Sequence, residues 1–197
     1  MVQLVQLQKR TMALAGIVML VYLVFHMLSN LTFFSPAAFT HFYDIYNLAL
    51  IRWPVLAIVL LALLIHVKAA IRIRRINAKV RAVDNIKHDT VQIPARLVTL
   101  SVAFLLLFII VHILQTVTFD TTGVYQQVVA LFQSGWMVLF YLAGLFVLAM
   151  HLSHSLSNVL QTLGKTSASC HYAVWTGTGL LTIGFAAIPV YIYFLMS

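Results

Sequence analysis

The chain has 197 residues, of which 62% are hydrophobic and 8% charged, and its mean hydropathy is +1.01. Soluble domains carry about a quarter charged residues and just under half apolar ones. An ordinary water-soluble enzyme, a disordered tail and a disulfide scaffold are therefore excluded, and an integral membrane protein is left. The formal net charge of +8 comes from 12 Lys and Arg against four acids, all of them Asp (Asp44, Asp84, Asp89 and Asp120).

Five apolar segments are long enough to cross roughly 30 Å of hydrocarbon. The first, about Thr11–Phe34, follows Lys9-Arg10 in the manner of a signal peptide. It is too long for a signal core, and no small-residue cleavage site follows promptly, so it is read as a spanning helix. A connector, Ser35–Arg52, leads to the second span, Trp53–Ile73, and Arg74–Ile93 leads to the third, Pro94–Phe119. Asp120–Gln133 then precedes the fourth, Ser134–Leu160, and Gln161–His171 precedes the fifth, Tyr172–Met196. No connector is long enough for a separate soluble domain, so residues 1–197 read as one all-α, five-helix membrane bundle. Cys170 has no cysteine to pair with in the chain and is read as a small packing residue.

Basic residues orient the bundle, because they concentrate in cytoplasmic loops. With the N-terminus inside, Lys9 and Arg10 lie on the cytoplasmic side. So do Lys68, Arg72, Arg74, Arg75, Lys79, Arg81, Lys87 and Arg96, and Lys165 as well, which leaves only Arg52 outside. The expected topology is N-terminus cytoplasmic and C-terminus external.

Each of the first four spans carries a histidine, His26, His66, His112 and His151, and His154 is a second one in the fourth. They sit in a weak tandem repeat. His26-Met27-Leu28-Ser29-Asn30-Leu31-Thr32-Phe33 and His112-Ile113-Leu114-Gln115-Thr116-Val117-Thr118-Phe119 share four of eight residues at an offset of 86, and His66 and His151 are 85 apart. At 1.5 Å per residue, His26 and His112 lie roughly 22–24 Å from the inner surface, whereas His66 lies about 9 Å from it. His151, on a descending helix, shares the inner level. An ionisable residue within a span is costly and points to function.

Two imidazoles at one depth on different helices suit the axial ligation of a haem iron, which then transfers electrons and does not bind oxygen. Two such pairs would stack two haems roughly 13–15 Å apart along the membrane normal. The alternative is that each histidine is a polar packing residue bonded to a neighbouring helix. Zinc or iron sites want three or four ligands at one level, commonly with carboxylate, and no carboxylate lies in the spans. His154, three residues beyond His151, is a secondary ligand or haem-propionate candidate. His41 and His88 read as solvated loop residues, and His171 as an interfacial one.

The arrangement resembles the membrane cytochrome b subunit of succinate dehydrogenase and fumarate reductase, in the branch where one five-helix chain holds two haems b. The likeness rests on Phe25-His26-Met27-Leu28-Ser29-Asn30, Leu63-Leu64-Ile65-His66, Val111-His112-Ile113-Leu114 and His151-Leu152-Ser153-His154-Ser155, with Gln161-Thr162-Leu163-Gly164 following. It implies that His66 and His151 bind the inner haem and His26 and His112 the outer one. It also implies two partners on the cytoplasmic face, a flavoprotein that interconverts succinate and fumarate and an iron–sulfur subunit. The chain itself has no cysteine array for an iron–sulfur cluster and no nucleotide-binding glycine motif. Its expected part is anchoring in the cell inner (cytoplasmic) membrane and electron exchange with a quinone, menaquinone or ubiquinone. Some relatives carry a glutamate in the helix of the fourth ligand, linked to proton movement. Here that stretch is Ala149-Met150, which does not support that route.

The basic inner face suits anionic lipid and the docking of soluble subunits, with Lys68, Arg72 or Arg96 available to haem propionates. For the quinone, the polar and aromatic stretch His41-Phe42-Tyr43-Asp44-Ile45-Tyr46-Asn47 offers Tyr43, Asp44 and Asn47 near the outer haem. The same stretch also reads as an interfacial aromatic belt. Two rival functions stay open: the di-haem b subunit of a hydrogenase or formate dehydrogenase, and a non-redox membrane protein whose histidines only pack.

Overall fold

A computed structural model of the chain describes residues 2–80, 95–162 and 167–196, with side chains for 6–76, 97–160 and 167–196. Lys79, Arg81, Asp84, Lys87, His88, Asp89, Arg96, Lys165 and the Gln161-Thr162-Leu163-Gly164 stretch fall outside the described side chains. Among the described residues the structure is helical, without a strand. In chain order come α1 (Val2–Leu31), a short 3-10 turn (Thr32–Phe34), α2 (Pro36–Tyr46), α3 (Ala49–Val80), α4 (Ala95–Val117), α5 (Val124–Phe132), α6 (Gly135–Thr162) and α7 (Ala168–Leu195). Five of these, α1, α3, α4, α6 and α7, are long and apolar enough to cross a membrane.

The connectors before α3 and before α6 each contain a short helix that hydropathy does not announce. Ser35 ends in an extended conformation and Pro36 follows at the first helical position, where a missing N–H costs nothing. Helix α5 is preceded by its N-cap Gly123, whose φ of 73° is the left-handed conformation that favours glycine. Gln127 ties the preceding turn down: its Oε1 accepts from the Asp120 N–H at 2.9 Å and its Nε2 donates to the Asp120 and Thr122 carbonyls. Helix α7 begins four residues before the hydropathy boundary, because Ser167 caps it by accepting from the Cys170 N–H.

The chain forms two compact units, Met1–His26 with Leu48–Gln92, and Met27–Asn47 with Ile93–Ser197. In the first unit α1 and α3 run antiparallel. The contacts that register them are Arg72 with Gln8 and His66 with Met12. With the Gln8 amide oxygen turned towards it, the Arg72 guanidinium donates from Nε at 2.7 Å and from Nη1 at 3.1 Å. This pairing brings Lys9 and Arg10 to the same end of the unit as Lys68, Arg72, Arg74 and Arg75.

The second unit is centred on α6, which packs against α4, α5 and α7. Its core joins Phe33, Phe39, Leu105, Phe108, Phe132, Val138, Tyr141, Ile188 and Ile192. One end is closed by aromatic rings. Phe33 stacks on Tyr125 at 4.6 Å and meets Phe39 edge-on at 5.5 Å. Such pairs are worth about 0.5–1.5 kcal/mol beyond the area they bury.

Candidate functional site

The four histidines occupy matched positions in their helices. His26 lies five residues before the end of α1 and His112 five before the end of α4. His66 follows the start of α3 by 17 residues and His151 follows the start of α6 by 16. Each half of the tandem repeat also has the same order of elements: long helix, short helix, long helix.

The repeat extends to a partner that sequence comparison alone did not single out. Tyr22 stacks on His26, with ring centroids 5.4 Å apart and planes within 10°. Phe108 stacks on His112 at 6.2 Å and 21°. Both aromatic rings stand one helical turn before the histidine, and the two are 86 residues apart, the repeat offset. An aromatic residue at i−4 presses the imidazole from the same helix face and limits how the ring turns.

Two of the rings have a defined proton position. His66 Nδ1 is 3.1 Å from the Met12 carbonyl oxygen. A carbonyl only accepts, so Nδ1 carries the hydrogen and the ring lone pair is on Nε2. Small residues make the approach possible: the imidazole lies against Gly16, and Ala62 and Ala69 on either side of it along α3 are buried.

His112 reaches the same tautomer by a longer route. The buried Tyr141 hydroxyl donates its one hydrogen to Gln115 Oε1 at 2.8 Å. Its oxygen is then the acceptor for His112 Nδ1 at 3.2 Å, which places the hydrogen on Nδ1 and the lone pair on Nε2. Gln115 is held in turn through its Nε2, 3.4 Å from Met137 Sδ. A histidine that binds a metal usually donates its other ring N–H to a carbonyl or similar acceptor, which fixes tautomer and orientation. The donor sets of His66 and His112 thus fit Nε2 ligation of a haem iron.

On α6, His151 is half-buried and the next residue but one, Ser153, is buried. His154 is exposed, and its Nε2 pairs with the Asn158 amide at 3.0 Å. Lys68 and Arg72 are exposed on α3, and Arg72 is engaged by Gln8. Among the described residues, no three His, Cys, Asp or Glu side chains gather as a metal site.

Of the three quinone-site candidates on and beside α2, two are engaged in hydrogen bonds. Tyr43 donates to Asn30 Oδ1 at 2.7 Å, and Asn47 Nδ2 donates to the Thr121 carbonyl at 3.3 Å. Both bonds tie α2 to its surroundings within the second unit. Asp44 is exposed. Burial, with a smaller contribution from Tyr46, raises the Tyr43 phenol above its ordinary value near 10. Since the native pKa exceeds the unfolded one, this stabilisation is fully present below about pH 10 and is lost as pH rises through the native value. Tyr43→Phe is expected to cost about 1 kcal/mol at neutral pH and to flatten the alkaline decline. Thermal unfolding in detergent from neutral pH to above the unfolded phenol's value of about 10 measures both effects.

Among the described residues the chain is helical, with five helices long and apolar enough to span a membrane, and His26, His66, His112 and His151 lie on four of them. Compared with protein-family models, curated proteins and solved structures, the chain matches none.

Proposed function

We propose that this chain is the membrane-anchor cytochrome b subunit of a succinate:quinone oxidoreductase, a succinate dehydrogenase or fumarate reductase of the cytoplasmic membrane. His66 and His151 hold the inner haem b, and His26 and His112 hold the outer one. The observation that carries this reading is the matched helix register of the four histidines, together with Nδ1–H bonds that leave Nε2 of His66 and His112 as the basic nitrogen. These four histidines would hold two haems, which would supply one-electron carriers.

The chain's own residues do the rest. The Met12 carbonyl and the Tyr141–Gln115 pair orient their imidazoles, and Tyr22 and Phe108 hold ring planes. The cationic end formed by Lys9, Arg10, Lys68, Arg72, Arg74 and Arg75 faces the iron–sulfur and flavoprotein partners and anionic lipid. N-terminus inside, this end is cytoplasmic. Tyr141→Phe removes the acceptor of His112 Nδ1–H, and an outer-shell change of this kind costs about 10–100-fold in metal-site affinity. Outer haem retention is expected to fall by that order while the inner haem stays. Equal loss of both haems, read in difference spectra during detergent dilution, would contradict the assignment.

The whole-function test is isolation of the chain from its own membranes under mild detergent. The reading expects a flavin-bearing subunit and an iron–sulfur subunit to accompany it, and succinate to reduce the haem b absorbance. Isolation with a nickel–iron or molybdenum-containing partner would assign it to a hydrogenase or formate dehydrogenase.

A further inference from the structure

Between α6 and α7, wholly within the second unit, lies a groove of about 270 Å³. That is just below the range of roughly 300–1,000 Å³ usual for small-molecule sites. Its walls include Phe146, Met150, Ser153, Trp175, Thr178 and Gly179, and they are almost entirely apolar. Phe146, Met150 and Trp175 are exposed on the helix surfaces, so the groove opens sideways towards hydrocarbon.

One polar residue of its wall is out of character. The Thr178 side chain is only 3% exposed, and its hydroxyl has no hydrogen-bond partner. Threonines in or beside a helix ordinarily bond back to the carbonyl four residues earlier. Thr11, Thr116, Thr118 and Thr182 all do so here, Thr182 to the carbonyl of Thr178 itself at 2.8 Å. Exposed Thr40 and Thr176 make no such bond either, but Thr178 lacks it while buried in the wall of the groove. A hydroxyl left unsatisfied away from water is costly, and a carbonyl oxygen of a ligand would satisfy it. Gly179, beside it, keeps this wall low: a Cβ there would meet nothing within 4 Å.

We propose that this groove binds the ring of a membrane quinone, with the Thr178 hydroxyl donating to one ring carbonyl and Trp175 and Phe146 flanking the ring. The volume suits a ring and not a whole lipid, and the lateral opening lets an isoprenoid tail remain in the bilayer. Ala149 and Ser153 in the wall stand two residues either side of His151 on α6. This sets the ring at the level of that histidine, away from the α2 candidates Tyr43, Asp44 and Asn47. The identity of the ligand as a quinone rests on the redox function proposed above.

The test is photolabelling of the complex in its native membranes with an azidoquinone, followed by peptide mapping and haem assay on the same sample. Saturable label in the peptides around 146–153 and 175–183, displaced by excess unlabelled quinone, is the expected result. Thr178→Val should weaken displacement about three- to tenfold, the worth of one hydrogen bond, without lowering the thermal stability of the unlabelled protein. Filling the groove with Gly179→Leu should abolish the label. Label confined to the α2 peptide would overturn the proposal. So would label in the groove that phospholipid displaces as well as quinone does, which marks a lipid-tail groove. Haem-loaded protein without groove label refutes the site alone. Saturable groove label on a haem-free chain refutes the electron-transfer function and leaves the site standing.

Discussion

Replacing His66 by Ala is expected to lower the haem content from two per chain to one, and His112→Ala to do the same by removing the other haem. Neither substitution should unfold the chain. The Met12 carbonyl loses only the histidine N–H bonded to it, and Tyr141 keeps its bond to Gln115 after His112 is gone. The His66→Ala/His112→Ala double variant should hold no haem at all while keeping its helix content by circular dichroism. Added imidazole should restore the missing absorbance in each single variant, because the cavity left by Ala is the size of the ring removed. Absorption spectra unchanged by both single substitutions would mean that the histidines only pack between helices.

The second large effect concerns a glycine outside the set of histidines. Gly144 on α6 is buried, and a Cβ on it would overlap the ring of Phe108 on α4. That ring cannot move freely: it is wedged against Phe140 at 5.5 Å and Tyr141 at 5.4 Å and stacks on His112. Overpacking of this kind costs about 1–3 kcal/mol, of which alanine's better helix propensity returns up to about 1. The displaced Phe108 would push the His112 ring off its bond to Tyr141. Gly144→Ala is therefore expected to release the outer haem selectively and to lower the unfolding temperature. Phe108→Leu added to Gly144→Ala makes room again and should recover much of both losses, a coupling that a double-mutant cycle quantifies. Simple additivity of the two changes would show that Phe108 does not transmit the effect.

Hydropathy located the five long helices but not their ends, and the reason is physical. It reports what dissolves in hydrocarbon, whereas the helical hydrogen-bond ladder continues through charged residues. Helix α1 therefore begins at Val2, ahead of Lys9 and Arg10, and α3 continues to Val80, past Arg74 and Arg75. Helices α2 and α5 were hidden because they are short and amphipathic, although Ser35-Pro36 and the Phe39, Tyr43, Tyr46 spacing mark the first of them.

The histidines of the candidate site were legible because imidazole is rare in lipid and theirs recur at offsets of 86 and 85. Their orienting partners were not. Met12, Tyr141 and Gln115 are ordinary residues whose importance arises only when helices distant in sequence pack. The aromatic residue one turn before His26 and His112 was the available signal, since Tyr22 and Phe108 obey the same 86-residue offset. Thr178 had no such mark, as only its unpaired hydroxyl distinguishes it from four other threonines.

The most direct measurement is a pyridine haemochrome assay of the purified chain, expressed with haem supply and referred to protein by amino-acid analysis. Two haems b per chain is the predicted result, with one lost in His66→Ala and the other in His112→Ala. A haem-free chain that is folded and monodisperse would contradict the account.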